Sequence, residues 1–271
     1  MKYEIIQNIR IPKIGFGTWT IGGGGTADPG LDARSMAALC SALELGYTHF
    51  DTAEYYAAGH AEELLGQAVR ASGLERASLF ITSKVGEEHL AYTDVLRACE
   101  GSLRRLGMEY LDLYLIHWPR RGMKLAETFR ALNQLVKEGK VRHLGVSNFN
   151  LKLLEESVAL SETKLLTDQV PYSLPEREYE KNGVLGYCQG NDILLTAYSP
   201  VKRRFISGNN PLKTLARARG VSPQQLALAW LVRQPRVITI PMSFNPQHQA
   251  DNLAAADMDL SESEWAQLPK F

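Results

Sequence analysis

The sequence predicts an α/β protein, a (β/α)8 TIM barrel behind a short N-terminal hairpin. Three observations predict it. Short, almost continuous apolar runs alternate with helix-periodic segments along nearly the whole chain, the pattern of a parallel sheet covered by helices. Eight such pairs follow one another, which favours a closed barrel over an open doubly wound sheet. The 271 residues also suit a barrel, which typically takes about 250. No composition shift or low-complexity linker divides the chain, so residues 1–271 read as a single domain.

The elements follow in order. Residues 3–11 read as a hairpin with Gln7-Asn8 near its turn, and Ile14–Thr18 as the first buried strand. Residues 32–46 have helical periodicity and stop at Gly46, a residue suited to a helix end. Tyr47–Asp51 is the second strand and 60–72 the next helix. Leu79–Lys84 precedes a helix over 93–106 that stops at Gly107. Leu111–His117 is the clearest buried strand, followed by a helix over 124–138 that stops at Gly139. Val141–Val146 leads to a helix over 150–160, and Leu165–Val170 to one near 178–190. Ile193–Tyr198 runs into a long loop, with helices over 211–219 and 222–234 beyond it. Ser222-Pro223 is a good N-cap and first-turn pair. Val237–Ile240 is the last strand and 246–256 the last helix.

Thirty basic residues balance thirty acidic ones, so no global field draws in nucleic acid or an anionic membrane. Cys40, Cys99 and Cys188 are far apart and form no CxxC. They read as reduced thiols, neither a disulfide framework nor a metal site. The N-terminus lacks the long apolar core of a signal peptide. No apolar stretch is long enough to span a bilayer. These features predict a cytoplasmic protein.

Chemistry concentrates where strands end. Asp51 and Tyr56 lie in FDTAEYY, Lys84 closes LFITSK, and His117 closes LDLYLIH. In a barrel the C-terminal strand ends carry the active site. Taken singly, each residue has an ordinary explanation as a cap, a packing aromatic, a solvated lysine or a half-buried histidine. Brought to one mouth, they make a phenol that exchanges a proton, although a free phenol has a pKa near 10. The constellation points to redox chemistry at a carbonyl.

These residues, in this order, resemble the aldo-keto reductases, in particular their compact prokaryotic members. The likeness runs through GFGTW at 15–19, FDTAEYY at 50–56, SK at 83–84 and LDLYLIHWP at 111–119. It continues through GKVRHLGVSNF at 139–149, DQVPYS at 168–173, AYSP at 197–200 and IPMS at 240–243. The resemblance implies reduction of aldehydes or ketones by hydride from NADPH. Tyr56 would be the general acid, Lys84 the cation that stabilises its phenolate, Asp51 the partner of Lys84, and His117 a hydrogen-bonding imidazole at the substrate oxygen or the phenol. An opposite charge in range shifts a pKa by roughly 1–3 units, so Lys84 is expected to lower that of Tyr56.

The resemblance also implies a cofactor cleft. Gly17, Thr18 and Asp51 would border it, and Ser147, Asn148 and Gln169 would bond the carboxamide. Tyr198 would stack on the nicotinamide. Ser199, Val201 and Arg203 would lie along the pyrophosphate, in a loop made basic by Lys202 and Arg204. Ser243, Phe244, His248, Asp251 and Asn252 would hold the adenosine end, where the Phe244 and Asn245 N–H groups, near a helix start, are expected to face a phosphate. Members that prefer NADPH often carry a Lys and an Arg where this chain has Met242 and His248. Weak discrimination follows as an expectation, with NADH a competitor. Trp19, Tyr55 and Trp118 would wall the substrate pocket. Gly22–Gly25 lacks the Lys-Ser/Thr of a phosphate loop and reads as a rim loop. The short segment after the last helix predicts an open, permissive site. Two other readings compete: a nucleotide-binding regulatory barrel with little turnover, and a barrel acting on phosphorylated sugars without redox. Substrate identity, direction of reaction and oligomeric state are not legible in the residues.

Overall fold

The structure, a computed structural model, describes residues 2–202, 205–206 and 211–268. Strands β1 (Tyr3–Ile6) and β2 (Ile9–Pro12) form the antiparallel hairpin. Gln7 and Asn8 both have positive φ, 49° and 64°, as a two-residue primed turn requires. The Gln7 side-chain amide donates to the carbonyls of Leu165 and Asp192, each at 2.9 Å. Ile6 and Ile11 are buried against Leu113, Leu115, Leu194 and Ile238. The hairpin therefore plugs the barrel at the end opposite the predicted site.

The sheet runs in chain order through β3 (Phe16–Gly17), β4 (His49–Asp51), β5 (Phe80–Val85), β6 (Leu111–Ile116), β7 (Val141–Ser147), β8 (Thr167–Pro171), β9 (Leu194–Tyr198) and β10 (Val237–Thr239), all parallel. Its two edges meet. Gly15 N–H donates to Thr239 O at 2.8 Å, and Thr239 N–H to Lys13 O at 2.9 Å. These bonds close the barrel.

The helices are α1 (Asp32–Glu44), α2 (His60–Ser72), α3 (Tyr92–Leu106), α4 (Leu125–Lys137), α5 (Leu151–Leu160), α6 (Glu178–Lys181), α7 (Val184–Gly190), α8 (Pro211–Arg219), α9 (Pro223–Arg233), α10 (Pro246–Ala254) and α11 (Glu262–Gln267). The segment read as one helix over 178–190 is broken at Gly183, whose φ of 89° leaves the helical region. The helix read over 246–256 ends as α10 and continues as a 3-10 turn, Ala255–Asp257. Helix α11 escaped the reading because it is only six residues long. Its signal was the Ser261-x-x-Glu264 capping box, which forms as the spacing suggests.

Strand pleating sorts side chains to two sides. Phe50, Ile81, Val85, Tyr114, Ile116, Leu144 and Val146 point outward and pack with Leu39, Leu65, Leu103, Phe129 and Leu132 of the helices. Burying each such side chain contributes about 1.5–3 kcal/mol. The alternate positions Asp51, Lys84 and Gln169 point inward, where they bond one another. A one-residue slip in register would exchange the two sets, so the helix-facing core fixes the inward aim of the polar residues.

Of the buried polar residues on the outer side, Ser83 is partnered by Glu62 and Asp112 by Arg76; Asp168 differs. It is fully buried, and neither carboxylate oxygen has a side-chain partner or a well-formed hydrogen bond. Burial pushes its pKa up to about 8, against a weak pull from the Phe149 amide. The folded state therefore keeps a proton that the unfolded chain releases near pH 4. Stability falls as pH rises between these values and levels off above the higher one. Asp168→Asn removes this ionisation. Its stability relative to wild type is expected to grow between about pH 5 and about pH 8. Urea denaturation at both values checks it, and a constant difference would contradict the assignment.

Candidate active site

The C-terminal strand ends surround a cleft of about 670 Å³, within the usual range for a ligand site. Asp51 ends β4, Lys84 lies near the end of β5, and His117 follows β6. Asp51 and Lys84 are buried, at 1% and 0% exposure. Lys84 Nζ lies 2.5 Å from Asp51 Oδ1 and 2.7 Å from Thr52 O. It also donates to Tyr56 Oη at 3.3 Å. Gln169 Nε2 donates to the other Asp51 oxygen, Oδ2, at 2.7 Å. Asp51 is thus anchored on both sides and holds the ammonium against the phenol.

Tyr56 starts a short 3-10 turn, Tyr56–Gly59, in which Ala57 and Ala58 have φ values of 52° and 53°. That left-handed region is costly for residues with a Cβ. The Ala57 N–H donates to Gly24 O at 2.7 Å, helping to hold the turn. The rim loop expected at Gly22–Gly25 therefore braces the segment that carries Tyr56. The Tyr56 ring meets His117 edge-on at 5.6 Å and Trp19 at 5.1 Å.

The expected lowering of the Tyr56 pKa does not occur in this geometry. Burial raises it, the Lys84 charge pulls it down, and Asp51 adds to the rise; burial wins. Part of the Tyr56 ring faces the cleft, but the protein packed around it is dense enough for desolvation to dominate. Burial alone would lower the Lys84 pKa, but Asp51 and Tyr56 together outweigh it and raise it. Burial, aided by the Lys84 charge, lowers His117 to about 3. The cluster at neutral pH is a neutral phenol, an ammonium and a neutral imidazole. Such a phenol gives up a proton readily only while the ammonium stands beside the anion that forms.

A pH dependence follows. The reductive kcat is expected to be flat from about pH 5 to about pH 9, because neither group titrates there. The oxidative kcat, which needs the phenolate, is expected to climb toward high pH. A histidine-like inflection near pH 6–7 in the reductive profile would overturn the neutral imidazole.

The predicted carboxamide-binding residues converge on the same mouth. Ser147 Oγ donates to Gln169 O at 2.7 Å. Asn148 Nδ2 donates to His117 O at 3.1 Å and to Ser147 Oγ at 2.9 Å. Tyr198 Oη donates to Asn148 Oδ1 at 2.8 Å. Gly17, Thr18, Ser199 and Val201 line the cleft as expected, as do Ser243, His248, Asp251 and Asn252. Trp19, Tyr55 and Trp118 stand at its mouth with 47%, 54% and 45% exposure, and the first two stack at 6.4 Å.

Other expectations are corrected. Phe244 is not among the lining residues; its ring lies under the Arg34 guanidinium at 4.2 Å. The Asn245 N–H, expected to face a phosphate, donates to Ser243 Oγ at 3.1 Å. Lys202 is paired with Glu176 at 2.6 Å, which spends one of the loop's cations. Arg203 and Arg204 lie outside the described residues. Ser222 and Gln224 line the cleft although their sequence signal was only that of a helix start.

Comparison with known proteins gives one answer. The sequence model of the Aldo/keto reductase family matches residues 13–271. The methylglyoxal reductase YeaE of Escherichia coli (strain K12) is 36% identical, covering 100% of this chain and 95% of that protein. The glyoxal reductase of Bacillus subtilis (strain 168) is 36% identical, covering 98% and 90%. Among solved structures, the thermostable aldo-keto reductase Tm1743 superposes with a TM-score of 0.93 at 40% identity, covering 99% of this chain and 98% of its own. An aldo/keto reductase from Klebsiella pneumoniae, in complex with NADP and acetate, gives 0.89 at 37%, covering 98% and 94%. The chain belongs to the aldo/keto reductase family and is an NAD(P)H-dependent oxidoreductase of carbonyl groups.

Proposed function

We propose that this enzyme reduces a broad range of small aldehydes and ketones, with NADPH preferred only weakly over NADH. The observation that carries the mechanism is the buried chain Asp51–Lys84–Tyr56, with contacts of 2.5 and 3.3 Å, ending at a cleft that His117 also faces. The residues suit a nicotinamide cofactor. Amide and hydroxyl groups of Ser147, Asn148 and Gln169 cluster at one place in the cleft, and the flat ring of Tyr198 stands beside them. Such groups read a carboxamide and a planar ring. When bound, the cofactor supplies hydride.

Every other part belongs to the chain. His117, neutral and facing the cleft, hydrogen-bonds the carbonyl oxygen. Tyr56 donates its proton to that oxygen, and Lys84 stabilises the phenolate left behind. Asp51 and the Thr52 carbonyl keep the ammonium aimed at the phenol. The half-exposed aromatics Trp19, Tyr55 and Trp118 leave the mouth open to carbonyls carrying apolar or aromatic groups. Curated relatives named for glyoxal and methylglyoxal make small dicarbonyls natural first substrates.

At the adenosine end neither Met242 nor His248 provides the permanent cation that a Lys or Arg would. Hydrogen bonds to charged groups contribute about 1.5–3 kcal/mol each, so their absence narrows any preference for the 2′-phosphate. An NAD(P)H absorbance assay with a panel of aldehydes, glyoxal and methylglyoxal included, tests the activity. No turnover of any carbonyl would leave the regulatory reading instead. With an active substrate, kcat/KM for NADPH is expected to exceed that for NADH by less than about a thousandfold. A larger ratio would sink the weak-discrimination reading.

A further inference from the structure

We infer that Arg34, on α1, is the cation that recognises the 2′-phosphate of NADPH in this enzyme, taking over the charge absent at Met242 and His248. This rests on the nicotinamide cofactor occupying the cleft described above. Four observations carry it. First, Ser243, His248, Asp251 and Asn252 line the far part of the cleft without a Lys or Arg among them. Second, the start of α10 has little to offer an anion. Asn245 caps it, accepting from the N–H groups of Gln247 at 2.8 Å and His248 at 3.4 Å, while its own N–H is held by Ser243 Oγ.

Third, the Arg34 guanidinium lies 4.2 Å above the ring of Phe244, the residue after Ser243. The side chain is exposed and, among the described residues, has no carboxylate partner. The nearby acid Asp32 is engaged by His60 Nε2 at 2.8 Å. Stacking on an aromatic face orients a guanidinium while leaving its edge donors free, which is the state a phosphate-binding arginine needs.

Fourth, α1 and α10 are locked together beneath this arginine. The fully buried Gln249 donates through Nε2 to Ala38 O at 3.0 Å and to Ser243 O at 2.8 Å. Tyr47 Oη donates to Gln249 O at 2.9 Å. Arg34, one turn before Ala38, is thereby held in place relative to Ser243 and Phe244.

Asp251, unlike Arg34, is itself a lining residue of the cleft, and it favours the opposite ligand. A carboxylate there accepts from a ribose 2′-hydroxyl and repels a 2′-phosphate, whereas an arginine accommodates the phosphate. Arg34 and Asp251 oppose each other, and the weak discrimination proposed above is their balance.

Direct binding tests this without turnover. Kd values for NADPH, NADH, adenosine 2′,5′-bisphosphate and 5′-AMP are measured by calorimetry or fluorescence quenching on wild type, Arg34→Ala and Arg34→Lys. Arg34→Ala is expected to weaken NADPH and the bisphosphate at least tenfold while changing NADH and 5′-AMP less than twofold. Arg34→Lys recovers part of the loss. Added salt weakens NADPH binding to wild type more steeply than to Arg34→Ala. Because Arg34 is exposed, unchanged thermal melting of the free variants shows that they fold. An equal loss for all four ligands, or no loss, overturns the inference while leaving the catalytic reading intact. Wild-type protein that bound neither dinucleotide would overturn both.

Discussion

Tyr56→Phe is expected to lower the reductive kcat by about 10³-fold, within the range for loss of a general acid, while the Kd for NADPH stays within about twofold. The substitution removes one oxygen from a ring held by Trp19 and His117, so the fold persists. The loss arises because a carbonyl oxygen that accepts hydride density without a proton becomes an alkoxide. Among the described groups around the phenol, His117 is neutral and Lys84 is fully buried. Single-turnover kinetics separate this from slow product release. A variant with near wild-type kcat would refute Tyr56 as the acid and move the role to His117.

Lys84→Met is expected to lower kcat by at least about 10²-fold, the scale of losing one aimed electrostatic group. It should also destabilise the protein by about 3–5 kcal/mol, because a buried pair that loses one partner leaves the other charge uncompensated. Here that charge is Asp51, 1% exposed, with Gln169 as its remaining side-chain donor. Adding Asp51→Asn to Lys84→Met removes the stranded carboxylate. The double variant is expected to regain much of the stability and none of the activity. Urea midpoints and kcat measured on the same three proteins decide the point. Recovery of activity along with stability would show that Lys84 acts only through folding.

Much of this was legible before the structure. Asp51, Lys84 and His117 each end an apolar run, and strand pleating converts that position into an inward aim at the barrel mouth. The spacing from Asp51 to Tyr56 put the phenol in the next loop. The hairpin turn was legible at Gln7-Asn8, though of the two only Asn8 is of a type that readily takes positive φ. Other features were out of reach for identifiable reasons. Apolar spacing continues across Gly183, so one helix was read where two stand. Ser222 and Gln224 carry the signal of a helix cap, and only the fold shows that this cap borders the cleft. Lys202 belongs to a basic run, yet its charge is answered by Glu176 from another segment. The contact of Arg34 with Phe244 joins the first barrel helix to the last strand–helix loop, which no local pattern encodes.

By itself the sequence determined the barrel and which groups stand at its mouth, because periodicity and strand-end position are properties of neighbouring residues; the reaction class came with the family resemblance of its motifs. The tertiary structure decided how those groups are charged. Whether Lys84 outweighs the burial of Tyr56 depends on a 3.3 Å contact and the density of protein around it. The charge offered to a 2′-phosphate is set by which side chains folding brings near Ser243: Asp251 lines the cleft, and Arg34 of the first helix reaches the ring of Phe244. Desolvation and Coulomb energies are set by distance in space, and it is folding that brings distant residues within range.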